Sequence, residues 1–97
     1  MPAYVSLFNF TDQGIKAVKG TVERTQMIKE AAKAAGGRVI GVWWLMGQYD
    51  GILISEAPDE ETAARQLIAN GMAGNTRSVT MRAFSEDEMS KIVGGLP

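Results

Sequence analysis

The chain has 97 residues, which suits one small domain spanning residues 1–97. An apolar fraction of 45% with 22% charged residues is that of an ordinary globular chain, and it excludes an intrinsically disordered segment. Ten basic and eleven acidic residues give a net charge of −1, so the sequence offers no basic surface for nucleic acid or for anionic lipid.

Cysteine and histidine are both absent from the sequence. Their absence excludes disulfides, thiolate metal sites, a Ser-His-Asp triad and a histidine haem ligand, and we expect neither a metal nor a cofactor. The N-terminal segment lacks the pattern of a secretion signal, and no window approaches the roughly 18 apolar residues that cross a bilayer. The sequence therefore predicts a cytoplasmic protein without a membrane partner.

The first half of the chain predicts a strand, a helix and a second strand. Residues Ala3–Phe10 are β-branched, aromatic and aliphatic, and a helical region follows, firmest from Thr21 and ending at Gly36. The next segment, Arg38–Met46, is apolar on both faces. Simple alternation of side chains along the strand places Val39, Trp43 and Leu45 on one face of the sheet and Ile40, Val42, Trp44 and Met46 on the other. A strand with one solvated face would not show this pattern.

The second half predicts a hairpin, a helix, a strand and a terminal helix. A turn at Gly47-Gln48 leads into a strand over Tyr49–Ala57, and a loop of two or four residues would place Trp43 opposite Ile52 and Trp44 opposite Gly51. Pro58 and the acids after it predict the first turn of a helix. A fourth strand to Phe84 and a capping box formed by Ser85 and Glu88 complete the chain.

This order predicts an α+β fold, a ferredoxin-like βαββαβ antiparallel sheet with a short C-terminal helix. The expected strand order is four, one, three, two. One end of that sheet then gathers most of the candidate residues, namely Asn9, Phe10, Thr11, Asp12, Trp44, Tyr49, Asp50, Asn75 and Arg77.

Asp50 has two interpretations at this end of the sheet. It can fix the hairpin by accepting backbone N–H bonds, or it can face a ligand. Tyr49 and the two tryptophans are open to the same choice between packing and binding. Arg38 and Glu56 face each other at the opposite end as a cross-strand ion pair. Because the strand separates Asp50 from Glu56 by roughly 20 Å, paired-carboxylate hydrolysis is excluded.

The segment Gly47–Gly51, "GQYDG", resembles the glycine, tyrosine and aspartate motif of the GYD family. The resemblance extends to "NFTDQG" at 9–14, Arg24, "EAPDEE" at 56–61 and "MRAFS" at 81–85. It implies a small dimeric α/β-barrel-like protein from a family without an assigned activity. By the same resemblance the family's motif residues are Gly47, Tyr49 and Asp50, with Thr11, Asp12 and Gly14 near the N-terminus.

Three functions remain open from the sequence. The leading hypothesis is a homodimer, with assembly into higher oligomers left open, that binds a small apolar or amphipathic molecule between sheet and helices. Its candidate ligand-binding residues are Asn9, Thr11, Asp12, Trp43, Trp44, Tyr49, Asp50 and Arg77. The resemblance to the wider group of dimeric ferredoxin-like barrels implies the first alternative, a cofactor-independent enzyme of monooxygenase or isomerase type, with Asp50 as base and Arg77 or Arg82 orienting the substrate. The second is a purely structural or interaction protein.

Overall fold

The computed structural model describes all residues from Met1 to Pro97 and contains four strands, four α-helices and one 3₁₀ turn. The strands and helices follow one another in the predicted order. Their bounds are β1 Ala3–Phe10, α1 Asp12–Lys16, a 3₁₀ turn Val18–Gly20, α2 Thr21–Ala34, β2 Arg38–Trp44, β3 Gly51–Glu56, α3 Glu60–Ala73, β4 Thr76–Ala83 and α4 Glu86–Gly94.

The four strands form one sheet in the order β2-β3-β1-β4, and every neighbouring pair is antiparallel. This confirms the predicted α+β fold and strand order. β1 and β2 run parallel with β3 between them, which is why a long helical connection joins them in the chain. None of the helices is both long and apolar enough to cross a lipid bilayer.

The helices α2 and α3 cover one face of the sheet, here called the helix face. It is marked by Trp44, which bonds Thr21 of α2, and by Thr76, Ser78 and Thr80, which lie beside α3. The other face, here called the open face, has no helix packed across it. The residues that the strand register places there include Val5, Leu7, Ile52, Ile54, Trp43, Val79 and Met81.

A β-bulge in β2 changes which of its side chains share a face. Val39 pairs with Ser55 and Gly41 pairs with Ile54, so Ile40 is the extra residue. The simple alternation predicted from the sequence was therefore wrong at this point. Val39 joins Val42 and Trp44 on the helix face, because one additional residue moves the side chains that precede it in the strand to the opposite face.

The helix ends are fixed by short polar contacts. Asp59, extended in backbone conformation, caps α3 by accepting from the Thr62 N–H at 2.7 Å. Pro58 therefore lies before the cap and outside the first turn where it was predicted. Gly74 ends α3 with a φ of 84°, a left-handed conformation that favours glycine. The predicted capping box at Ser85 and Glu88 is confirmed.

Glu88 links this capping box to β4, and the link is expected to depend on pH. The Arg82 guanidinium donates to Glu88 Oε2 at 2.8 Å and, together with the Ser85 N–H, lowers the pKa of Glu88 from 4.5 to about 2. A lowered pKa stabilises the folded state above about pH 4.5, and this contribution is lost as the pH falls through about 2.

We expect the ¹³Cα shifts of residues 86–94 to move toward coil values between about pH 4.5 and 2. In Glu88→Gln this transition should be absent, because the titrating group is gone. A Glu88→Gln protein with the same transition would assign it to Glu86 or Asp87, the other acids of the first turn.

Candidate functional site

Asn9 and Asp50 hold the β2–β3 hairpin to the end of β1 by reciprocal hydrogen bonds. The Asp50 N–H donates to Asn9 Oδ1 at 3.1 Å and to the Phe8 carbonyl at 2.9 Å. In return, the Phe10 N–H donates to Asp50 Oδ2 at 2.9 Å. We call Asn9, Phe10 and Asp50 the hairpin clasp. Asp50 thus makes the hairpin-fixing contact that was one of its two predicted roles.

The hairpin itself is a four-residue loop, Met46 to Tyr49, closed by the Leu45 N–H donating to the Asp50 carbonyl at 2.8 Å. It confirms the predicted pairing of Trp43 with Ile52 and of Trp44 with Gly51. Gly47 adopts a φ of 141° that other residues rarely take. Tyr49 is half-buried beside the clasp.

Thr11 joins the start of α1 to the end of α3. Its hydroxyl accepts from the Gly14 N–H at 3.0 Å and donates to the Gly74 carbonyl at 2.6 Å, while its own N–H donates to the Asn75 carbonyl at 3.1 Å. Gly14 is buried at this contact. A Cβ on Gly14 would lie 1.9 Å from the Asn75 carbonyl oxygen, so the approach requires glycine.

The two tryptophans lie on opposite faces of the sheet, as their adjacency in a strand predicts. Trp44 lies on the helix face and its indole N–H donates to the Thr21 hydroxyl at 3.2 Å. Trp43 lies on the open face with its ring directly over Gly41, and 52% of the residue is exposed. Only Trp43 is therefore available to something that covers the open face.

Two of the predicted site residues do not converge with Asp50. Asp12 is exposed in the first turn of α1. Arg77 pairs in register with Asn9, but its guanidinium reaches over the edge of β4 toward α3, where a Cβ on Gly71 would lie 3.9 Å from Nη1. Arg77 also has no carboxylate partner in the chain.

Gln13 completes the contact between α1 and α3, and sequence reasoning did not find it. Its side-chain amide donates to the Ala73 carbonyl at 3.0 Å and to Asn75 Oδ1 at 3.1 Å. Nothing in a glutamine within a helix predicts such a contact, since its partners lie 60 and 62 residues away. The glycine of "TDQG" was the available signal that another segment approaches here.

Two open concavities lie away from the hairpin clasp. One is a groove of about 610 Å³ between α3 and β4, lined in part by Ile68, Met72 and Arg77. The other is a hollow of about 570 Å³ at the far end of the sheet, where Arg38 and Glu56 form the predicted ion pair at 2.6 Å. Neither is lined by Trp43, Trp44, Tyr49 or Asp50.

Comparison with known proteins agrees with this architecture. The chain is 29% identical over 85 residues to the glutamine synthetase and cystathionine beta-lyase binding protein of Thermus thermophilus, covering 87% of this chain and 90% of the relative. It is also similar in fold to the solved structure of TTHA0845 from Thermus thermophilus, with a TM-score of 0.54, 21% identity, and coverage of 88% of this chain and 95% of the other.

A second solved structure, MtbAldR (Rv2779c), has a TM-score of 0.68 and 16% identity, with 88% of this chain covered. This chain spans about half the length of that protein, 54%, so the similarity concerns one part of it. The model of the GYD domain family matches residues 4–93, nearly the whole chain and all of the motif segments described above. The protein therefore belongs to the GYD domain family.

Proposed function

We propose that this protein is a non-catalytic binding module that associates with an enzyme of amino-acid metabolism. The observation that carries the proposal is the Thermus relative, which is named as a binding protein for glutamine synthetase and cystathionine beta-lyase and matches this chain over 90% of its own length. A match of this extent favours a shared mode of action.

The chemistry of the hairpin end supports binding over catalysis. Asp50, the acid expected to act as a base there, accepts a backbone N–H from Phe10 and forms no ion pair. No acid or base partner that would complete a catalytic pair is bonded to it. The polar groups around Asp50 hold β1 and the hairpin together, which gives a rigid scaffold for a binding surface.

We further propose that the module is a homodimer joined through its open faces. A monomer of this mass is expected to expose about 5,400 Å², whereas the chain exposes 6780 Å². Its radius of gyration is 14.6 Å, compared with about 12.5 Å for a compact chain of this length. Exposed apolar side chains of the open face, among them Trp43, Val79 and Met81 at 45 to 53%, account for part of this surface.

A dimer of this kind would leave the helix layer for the enzyme. On α3, Ile68 and Met72 are 64% and 81% exposed and lie one turn apart, beside the groove against β4. We assign the enzyme-binding surface to this pair.

The proposal is tested by isothermal titration of the full chain against purified glutamine synthetase and cystathionine beta-lyase from the same organism. We expect the chain to bind one of these enzymes. Ile68→Glu should weaken that binding about tenfold or more. Ala69→Glu, an exposed neighbour on the same helix, is the matched control and should bind normally. A folded wild-type chain that binds neither enzyme would refute the association.

The homodimer is tested separately by light scattering during size-exclusion chromatography. Val79→Lys places a charge on the open face and should yield a monomer. Ser78→Lys, the adjacent exposed residue on the helix face, should remain a dimer. A wild-type chain that is monomeric at every concentration would refute this part.

A second candidate is small-molecule binding near Trp43, Tyr49 and Asp50. The half-exposed indole of Trp43 favours it, because a second copy covering the open face would enclose that ring in an apolar cavity. A ligand-dependent change in Trp43 fluorescence that disappears in a still-folded Asp50→Asn variant would support this function.

A further inference from the structure

The C-terminal segment from Phe84 to Pro97, here called the arm, extends away from the rest of the molecule. Its helix α4 makes no substantial packing contact with another strand or helix of the chain. The molecule is accordingly 52 Å long but only 31 and 18 Å in its other dimensions. An ordered helix that leaves the domain without packing on it needs an explanation.

The arm is amphipathic, and its apolar side is exposed. Met89, Ile92 and Val93 recur at the spacing of one helix face, and Leu96 follows one turn later. They are exposed by 49%, 46%, 52% and 67% in that order. A nine-residue helix is only marginally stable by itself in water. The apolar side therefore requires a surface to cover it.

The base of the arm is held in a fixed direction. Glu88 bonds the Ser85 N–H and the Arg82 guanidinium, and Arg82 also lies 4.6 Å from the centre of the Phe84 ring. If the arm folded back over its own sheet, α4 would have to leave β4 in another direction, which would disrupt these contacts. These contacts therefore favour packing of the arm on another molecule.

A second copy of the chain provides an apolar surface of suitable size for the arm. The chain exposes about 1,400 Å² more solvent-accessible surface than a compact monomer of this mass. This excess is larger than the roughly 800 Å² that each partner buries in a stable interface. Exposed apolar side chains of the open face and of the arm contribute to this excess.

We infer that, in the dimer, the arm of each copy packs its apolar side against the open face of the other copy. This inference rests on the proposed homodimer. A two-fold axis would make the exchange reciprocal, so both arms and both open faces would be covered in one closed assembly. The arm thereby becomes part of the interface and determines how strongly the dimer is held.

The test compares Ile92→Glu with Ser90→Glu in the full chain. The two positions lie about 160° apart around the helix, so only the first places a charge on the apolar side. We expect Ile92→Glu to weaken dimerisation about a hundredfold, since each dimer loses two buried side chains, and Ser90→Glu to leave it unchanged. Sedimentation equilibrium measures the dissociation constants.

Trp43 fluorescence in a Trp44→Phe background gives a second readout on the open face. In wild type the emission should shift to the red as the dimer dissociates on dilution, and Ile92→Glu should produce the same shift at a concentration where wild type is dimeric. A dimer unaffected by Ile92→Glu would overturn the arm's role and leave the sheet interface standing. A monomeric wild type would refute the homodimer itself. A red shift in Ile92→Glu that is independent of concentration would show that the arm packs on its own sheet.

Discussion

Asp50→Ala is expected to destabilise the protein by about 2 kcal/mol, because it leaves the Phe10 N–H without its acceptor at a half-buried position. The change removes one of the three hydrogen bonds that join residue 50 to β1, so the loss should be largest around residues 45–50. Urea unfolding at fixed protein concentration measures the effect, since a dimer would make the midpoint depend on concentration.

Asp50→Asn is the matched control for this change. An amide keeps an oxygen that can accept the Phe10 N–H and loses only the charge, so about half of the destabilisation is expected. Asn9→Ala should be coupled to Asp50→Ala, because the two side chains hold the same segment. If Asp50→Ala left stability unchanged, the clasp would not contribute to the fold, and a ligand-facing role for Asp50 would become the better interpretation.

Gly14→Ala is expected to be the most damaging single methyl addition in the chain. The new Cβ would lie 1.9 Å from the carbonyl oxygen and 2.8 Å from the carbonyl carbon of Asn75, and backbone atoms cannot rotate away as a side chain can. The clash must separate α1 from the turn after α3, which also strains the Thr11 N–H bond to Asn75. We expect a loss of about 3 kcal/mol, seen as a fall in melting temperature of more than about 10 °C.

Gly94→Ala is the control for Gly14→Ala, because nothing lies within 4 Å of the added Cβ and the residue is the last of α4. It should leave the melting temperature unchanged or raise it slightly, since alanine favours a helix more than glycine does. A Gly14→Ala protein as stable as wild type would mean that α1 is not held against Asn75 in solution.

The sequence by itself determined the order of the elements, the pairing of β2 with β3 across the hairpin and the capping box at the start of α4. These depend on local chemistry that can be read within a few residues: the apolar run Ala3–Phe10, the pairing around the hairpin, and the serine and glutamate that start α4. Hydrophobic periodicity and short polar signals fix such features because their partners are close in the chain or lie in register across one turn.

Tertiary structure alone decided how distant groups are combined. The bulge at Ile40 moved Val39 to the helix face, and no local signal marked it. Asp50 accepts the Phe10 N–H because a strand 40 residues earlier in the chain approaches it, and no local signal in the sequence specifies that approach. Arg77 shares a register with Asn9, yet its long side chain reaches the opposite side of the edge strand. The direction of the arm likewise depends on the ion pair between Arg82 of β4 and Glu88 of α4. Each choice depends on the position of a backbone or side chain in space, which residue type and spacing do not specify.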